Sequence, residues 1–271
     1  MAGELLDGPA VITDVFMFDD EFSMLDCRLA ELDGIVDRFI AIEGNTTFAG
    51  EPKPYYLSER LDRYAGVPLT IFQVDLTGQQ PAEVPYRSWI TPETAHAWVR
   101  EGWQRNAARA LLAQLPPDSW AIYGDLDEIP RREALAAFVA TGSHPHGLEM
   151  RMHVYSTALV HPAAWVGGVV GKVGDLGTDV LRVRDLRLNF DRIPDGGWHL
   201  TWFGGPMRRE EKLLHLSHQE LVPKIRGSVG ESLPKLRVHV DGETPLEPYA
   251  GADLPRWVLE GRAPAFWHTR Y

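Results

Sequence analysis

Trp120-Ala121-Ile122-Tyr123-Gly124-Asp125-Leu126-Asp127-Glu128-Ile129-Pro130 reads as an apolar strand running into a cluster of carboxylates, with a helix-forming run over 132–141 behind it. The uninterrupted apolar character of 120–123 suits a strand buried on both faces, and Gly124 eases the turn that follows. Two carboxylates at i and i+2 beyond a strand end can turn toward one divalent ion. Oxygen ligands of this kind suit Mg²⁺ or Mn²⁺, which keep coordination positions for water and substrate phosphates. Asp residues after strands also serve as turn caps, so Asp125-Leu126-Asp127 alone leaves both roles open.

Working outward, strand-like runs at 11–18, 38–42 and 69–76 alternate with helical patterns at 23–34 and 91–115. The second helix has Thr91-Pro92 as its start and Pro116-Pro117 as its stop. Strands alternating with helices predict βαβ units, hence an α/β fold with a mostly parallel, twisted sheet and helices on both faces. Ligands of such sheets bind at the carboxyl ends of the strands. The acidic clusters Asp19 to Glu21, Glu43 and Asp125 to Glu128 all fall at predicted strand ends. Beyond 145 the pattern turns irregular, with strands expected at 146–156, 165–173, 180–183 and 198–202, and a helix at 208–218. A tail rich in Pro and charge from Pro234 onward is expected to wrap the surface.

With 271 residues, 44% apolar and 24% charged, the chain is an ordinary globular protein. Its formal charge of −11 argues against bulk attraction to nucleic acid or an anionic bilayer. Cys27 is the single cysteine, which excludes an intramolecular disulfide and a zinc site built from several thiolates. The first ten residues carry neither a basic region nor an apolar run, so no secretory signal is read. The stretch from Met152 to Gly171 lacks charge but holds Pro, His and Gly, which disfavours a membrane span. A soluble, cytoplasmic protein is expected.

Three further constellations carry candidate chemistry. Arg105 and Asn106, on the helix leading to the 120–123 strand, either face the crevice, answering a diphosphate and a base or ribose, or lie on a solvated face where Arg105 pairs with Glu101 at i, i+4. In the crevice reading, loss of Arg105 weakens binding of the diphosphate ligand with little change in melting temperature. Trp198 and Trp202 flank His199 and present faces for stacking on a sugar ring, or else belong to the core. His218 and Glu220 close the 208–218 segment, either as metal ligand and base or as polar residues ending a helix.

These residues occur in order with others: Asp14-Val15-Phe16-Met17-Phe18 with Glu21 and Arg28-Leu29; Val36-Asp37-Arg38-Phe39-Ile40 leading to Glu43; Thr47-Phe48-Ala49-Gly50-Glu51-Pro52-Lys53-Pro54; Arg100-Glu101 with Gln104-Arg105-Asn106; Asp125 to Pro130; Gly197-Trp198-His199; and Ser217-His218-Gln219-Glu220. Together, from about 12 to 222, they resemble glycosyltransferase family 17, typified by β-1,4-mannosyl-glycoprotein β-1,4-N-acetylglucosaminyltransferases. The resemblance implies an inverting, nucleotide-sugar-dependent transferase of GT-A type. One domain over 1–271 is expected, with a nucleotide-sugar half at 11–145 and an acceptor half with tail at 146–271.

The implied donor is a nucleotide-sugar, UDP-linked, and the acceptor a carbohydrate or glycosylated small molecule. Mn²⁺ or Mg²⁺ is the implied cofactor, on Asp127 first, Asp125 second and His218 third. The donor is expected against Phe18, Glu43, Arg105, Asn106 and Asp125, and the sugar on Trp198 and Trp202. Glu220, Glu128 and His199 are the candidate bases. The chain lacks the cysteines that animal members carry near Gly197-Trp198-His199 and has Met207 where members carry an acid after the Gly pair, so it reads as a bacterial-type relative with base, donor sugar and acceptor open. Two other classes compete. A metal-dependent nucleotidyltransferase or phosphohydrolase would use the same Asp pair, but no Walker-type Gly-rich loop is present. A non-catalytic sugar-binding module would account for the nine Trp residues.

Overall fold

The computed structural model describes residues 11–77 and 90–271; the N-terminal segment read as lacking a secretory signal lies outside the described residues. The first part of the chain alternates as its sequence predicts: β1 (Ile12–Phe18), α1 (Phe22–Leu32), β2 (Arg38–Gly44), β3 (Leu69–Val74), α2 (Ala95–Asn106), α3 (Arg109–Leu112) and β4 (Trp120–Asp125). There follow β5 (Glu128–Pro130), α4 (Arg132–Thr141), β6 (His146–Val154), β7 (Leu159–Val160), β8 (Trp165–Lys172), α5 (Val173–Leu176), α6 (Val180–Asp185), β9 (Asp191–Thr201), α7 (Pro206–His215) and β10 (Glu247–Pro248). Among the described residues no helix is long and apolar enough to cross a membrane.

Among the described residues ten strands join one sheet, ordered β10-β7-β6-β8-β4-β1-β2-β3, with β9 attached to β6 and β5 to β9. The β4-β1-β2-β3 block is parallel throughout. Beyond it β8 runs antiparallel to both β4 and β6, and β9 runs parallel to β6. The parallel expectation therefore holds for the first half, and the sheet as a whole is mixed.

Strand alternation divides the core. Phe16, Phe39, Ala41, Trp120 and Ile122 face α1 and α4, while Val15, Ile40, Ile42, Ala121 and Tyr123 face α3, α5 and α6. Burial on both faces explains why these strands read as unbroken apolar runs. A third cluster joins Met152, Val154 and Leu159 to Trp202, Leu213 and Val240 in the C-terminal half of the chain.

Three sequence expectations fail, each for a local reason. The 91–115 helix divides at Ala107–Ala108 because Asn106 turns its side chain away: its carbonyl oxygen accepts from Leu181 N and its amide donates to Asp179 at 3.1 Å. The strand expected at 180–183 is helical, since Asp179 caps it by accepting from Arg182 N at 3.0 Å and Val180 and Val183 bury one face. The tail does more than wrap the surface, because Trp257 and Trp267 are buried in the core beside α1.

A buried ion pair fixes the β4–β5 turn. Arg28 of α1 donates to Asp14 of β1 through Nε and Nη2, both at 2.7 Å, and both side chains are fully buried. Its Nη1 reaches the carbonyls of Asp125 at 2.9 Å and Glu128 at 2.6 Å, with Leu126 at 3.3 Å. Removing one member of a buried pair strands the other charge, which costs about 3–5 kcal/mol. Arg28→Met should lower folding stability on that scale in urea denaturation; an unchanged midpoint would show that Arg28 does not support the turn.

Candidate active site

The carboxyl ends of β1 and β4 open into a cavity of about 570 Å³, closed by α2 on one side and by the end of β9, α7 and the His218 segment on the other. Seven carboxylates and five Lys or Arg side chains line it, a formal −2 with the histidines neutral. The strand ends supply Phe18 and Asp125, the turn supplies Asp127, and Asp19 and Glu21 follow β1.

The two aspartates of the turn have different surroundings. Asp125 lies 2.7 Å from Arg105 Nη1 and 2.8 Å from Arg184 Nη2, and those guanidiniums are almost wholly buried. Burial would raise its carboxyl; the two arginines outweigh that and hold it far below the usual carboxylate range. Asp127 lies 3.1 Å from Lys212 Nζ and 3.5 Å from His199 Nε2. Burial again acts upward, and Lys212 and His199 again bring the carboxyl down. Lys212 is shared, since its ammonium also donates to Glu21 at 3.1 Å. Burial lifts the Glu21 carboxyl despite this contact, with Asp127 and Asp19 adding to the rise.

Phe18, Arg105, Asp125, Asp127, His199, Trp202 and His218, all candidates from the sequence, line this one cavity. Arg105 does so without a free guanidinium, because it grips both Glu101 at 2.8 Å and Asp125. Five candidates do not line it. Glu128 is fully buried behind the turn, its oxygens accepting from Arg184 at 2.9 Å, Trp165 Nε1 at 2.7 Å and Asp125 N at 2.9 Å, so they are spent on structure. Glu43 is buried and accepts from Leu57 N at 2.7 Å and from Ser58, which ties a loop to the end of β2. Asn106 caps the α6 segment. Trp198 belongs to the core, with Nε1 donating to Asp253 O at 3.1 Å and Arg131 over its ring at 4.3 Å. Glu220 sits behind His218 and holds its Nδ1 at 2.5 Å.

Several residues of the site lay beyond sequence reasoning. Lys212 and His215 share a face of α7 at i, i+3, a spacing visible in sequence without its target; His215 Nδ1 meets Asp19 at 3.0 Å. Arg184 lies on α6, one residue beyond the 180–183 segment expected as a strand. Trp165 packs on His199 with ring centroids 4.9 Å apart. His239 and Asp241 reach the cavity from the tail, where no periodicity points to them.

Asp127 and Glu21 already bracket one cation, the Lys212 ammonium. Mg²⁺ and Mn²⁺ are commonly held by one or two carboxylates together with water and substrate phosphates, so this pair fits such an ion in place of the ammonium. Asp125 does not fit as well, with both oxygens on arginines. Nor does the expected third ligand: Asp125, Asp127 and His218 do not bring three ligand atoms together. Among the described residues the group that does is His144, His146 and Asp191, at the opposite ends of β6 and β9.

An α/β sheet whose parallel strands deliver an Asp-x-Asp turn to a cavity ringed by charged side chains has the layout of a GT-A-type transferase. The sequence profile of glycosyltransferase family 17 matches residues 4–223, and the chain belongs to that family. Among curated relatives, the rat and human β-1,4-mannosyl-glycoprotein 4-β-N-acetylglucosaminyltransferases are each 28% identical over 151 residues, which is 54% of this chain. The match spans 27% of the length of those relatives. Among solved structures, a mycobacterial protein overlaps 92% of this chain and 88% of its own at 16% identity with a TM-score of 0.36. Glucosyl-3-phosphoglycerate synthase from Mycobacterium tuberculosis, solved with Mn²⁺, UDP and phosphoglyceric acid, overlaps 92% and 91% at 15% identity with a TM-score of 0.35. These overlaps are too loose to transfer site geometry.

The structure alters the expectation for Arg105. Its guanidinium bridges two buried carboxylates, so Arg105→Met should cost about 3–5 kcal/mol of folding stability, the scale for breaking a buried pair. Thermal and urea unfolding read this directly, and an unaltered melting temperature would return Arg105 to the role of a free anion receptor.

Proposed function

We propose that this chain is an inverting glycosyltransferase that moves a sugar from a UDP-linked donor to a carbohydrate or glycosylated small-molecule hydroxyl with the help of a divalent cation. N-acetylglucosamine is the donor sugar suggested by the names of its curated relatives. The observation that carries the reading is Asp127, an anionic carboxylate held at the end of a parallel-strand unit in a cavity whose walls are net negative. Such a wall repels a nucleoside diphosphate until a further positive charge arrives. A divalent ion on Asp127 and Glu21 would supply that charge and offset the negative charge that builds on the leaving diphosphate.

The remaining work falls to the chain's own side chains. Lys212 would yield Asp127 and Glu21 to such an ion, and its flexible stem, with the side chain about 23% exposed, would let the ammonium turn to the diphosphate. The arginines on Asp125, at 7–8% exposure and with two carboxylate partners each, stay in place and keep the turn rigid. Trp202, held at φ 59 just beyond β9, offers its ring to the sugar; an aromatic residue in left-handed backbone costs about 1–2 kcal/mol, a strain often found at working sites.

Transfer forms one bond from the acceptor oxygen to the sugar's anomeric carbon and breaks the bond from that carbon to the diphosphate, with the hydroxyl proton passing to a base. His218 is that base in our reading. It lines the cavity, stands edge-on to Trp98 at 4.5 Å, and is held through Nδ1 by Glu220. With the Nδ1–H donated to that carboxylate, Nε2 keeps its lone pair for the acceptor proton. Glu220 is then a positioning residue.

Two experiments test the proposal. In calorimetry UDP should bind more tightly with Mn²⁺ than without, and Asp127→Asn should abolish that gain. Lys212→Met should bind Mn²⁺ alone more tightly than the parent by about tenfold, the scale of coupling between linked sites. UDP binding indifferent to Mn²⁺ would overturn the metal-assisted reading. For the base, His218→Gln should remove transfer while UDP affinity is retained, and Glu220→Gln should lower kcat by about 10²- to 10⁴-fold, the range for general-base assistance, and shift its pH profile. Full transfer by His218→Gln would move the role to His199.

A further inference from the structure

We propose a second, separate metal site on this protein, formed by His144, His146 and Asp191 and selective for an imidazole-seeking ion of the Zn²⁺, Ni²⁺ or Cu²⁺ class. The three side chains each offer a ligand atom, and these atoms lie within 4.8 Å of one another. Ligands of a tetrahedral ion at about 2.0–2.1 Å stand roughly 3.4 Å apart, so a small inward rotation of exposed side chains closes the site.

The backbone prepares this geometry. His144 and His146 flank Pro145, whose ring fixes its own φ and stiffens the segment between the two imidazoles. Asp191 opens β9 and stands opposite His146 in the parallel β6–β9 register. Two of the ligands, His146 and Asp191, thus begin neighbouring strands, and His144 stands two residues before β6. Phe138 supports the His146 ring from α4, with centroids 4.7 Å apart.

The hydrogen bonds leave the His146 nitrogen available and place the His144 nitrogen on the third ligand. His146 Nδ1 lies 3.0 Å from His144 O, and since a carbonyl can only accept, that nitrogen carries the proton and Nε2 has the lone pair. A metal-binding histidine commonly donates its second ring N–H to a backbone carbonyl in this way. His144 Nε2 donates to Asp191 Oδ2 at 2.9 Å, and an ion binding there would displace this proton, Nδ1 taking one and donating it to Ser143 Oγ at 3.1 Å. An ion bound there replaces that single contact.

Donor chemistry separates this site from the cavity. Two imidazoles and one carboxylate suit Zn²⁺, Ni²⁺ or Cu²⁺, whereas Asp127 and Glu21 offer oxygen alone and suit Mn²⁺ or Mg²⁺. Bound at the starts of β6 and β9, the ion would clamp the two strands whose far ends carry Met152 and His199 into the cavity.

Calorimetric titration of the full chain with Zn²⁺, repeated on His146→Gln, Asp191→Asn and Asp127→Asn, tests the proposal. The parent should bind one equivalent of Zn²⁺, His146→Gln and Asp191→Asn should each bind it at least tenfold more weakly, and Asp127→Asn should retain it. Zn²⁺ should also raise the melting temperature of the parent more than that of Asp191→Asn. Asp191 is exposed, so its variant leaves the fold intact. Equal Zn²⁺ affinity in the parent and both site variants, or loss of Zn²⁺ binding in Asp127→Asn alone, would overturn the proposal. Neither result bears on the transferase reading, which stands or falls on Mn²⁺ and UDP.

Discussion

The Arg28–Asp14 pair is the interaction on which both the fold and the cavity depend. One guanidinium uses two nitrogens on a carboxylate in the middle of β1 and a third on the carbonyls that turn the chain after β4. Those carbonyls leave the sheet ladder just where the strand ends, and buried carbonyls need donors. Arg28 satisfies them from a helix packed across the sheet, so the position of α1, the register of β1 beside β4 and the shape of the Asp125–Glu128 turn are set together. A pair of apolar residues could fill the same volume but would leave the carbonyls unsatisfied. That requirement, rather than the Coulombic gain of the pair, accounts for burying two charges beside Phe16.

From this anchor the turn hands its carboxylates to two unlike environments. Asp125 is locked by Arg105 and Arg184, each of which is itself committed to a second carboxylate, Glu101 and Glu128. The result is a closed network of alternating charge in which no member can leave without exposing another. Asp127 is held instead by a lysine and a histidine that both line the open cavity. Two residues apart in sequence, one aspartate braces the site and the other can exchange its partner.

What the sequence revealed followed from locality. Strands buried on both faces, such as 38–44 and 120–125, read as apolar runs, helix starts and stops were marked by Pro and Gly, and the acidic strand ends lay where the topology places a ligand. The misreadings were cases in which a distant partner decided the outcome. Val180 to Val183 has strand-forming residues, yet the Asp179 cap and the bonds from Asn106 make it a helix. Trp198 and Trp202 have equal claims to a sugar by spacing, and only the fold shows that both join buried clusters and that Trp202 alone also lines the cavity. The Arg105–Glu101 pair was visible at i, i+4, but Asp125, its second partner, was not, and that partner turns a surface residue into a buried brace.

The same division explains why the helix α7 had to be seen in place. Its Lys212 reads in sequence as one more basic residue on a charged helix, and its physical role comes from bridging two strand ends that lie far apart in the chain. An arginine there would form a rigid fork on both carboxylates, much as Arg105 and Arg184 do on the other side. A lysine is a compact charge on a mobile stem, and it is the type of cation that can leave when a stronger one arrives. Fixed cations at Asp125 and a movable one at Asp127 are therefore complementary choices: the first keeps the turn in shape while the second lets its outer carboxylate change partners without unfolding the turn.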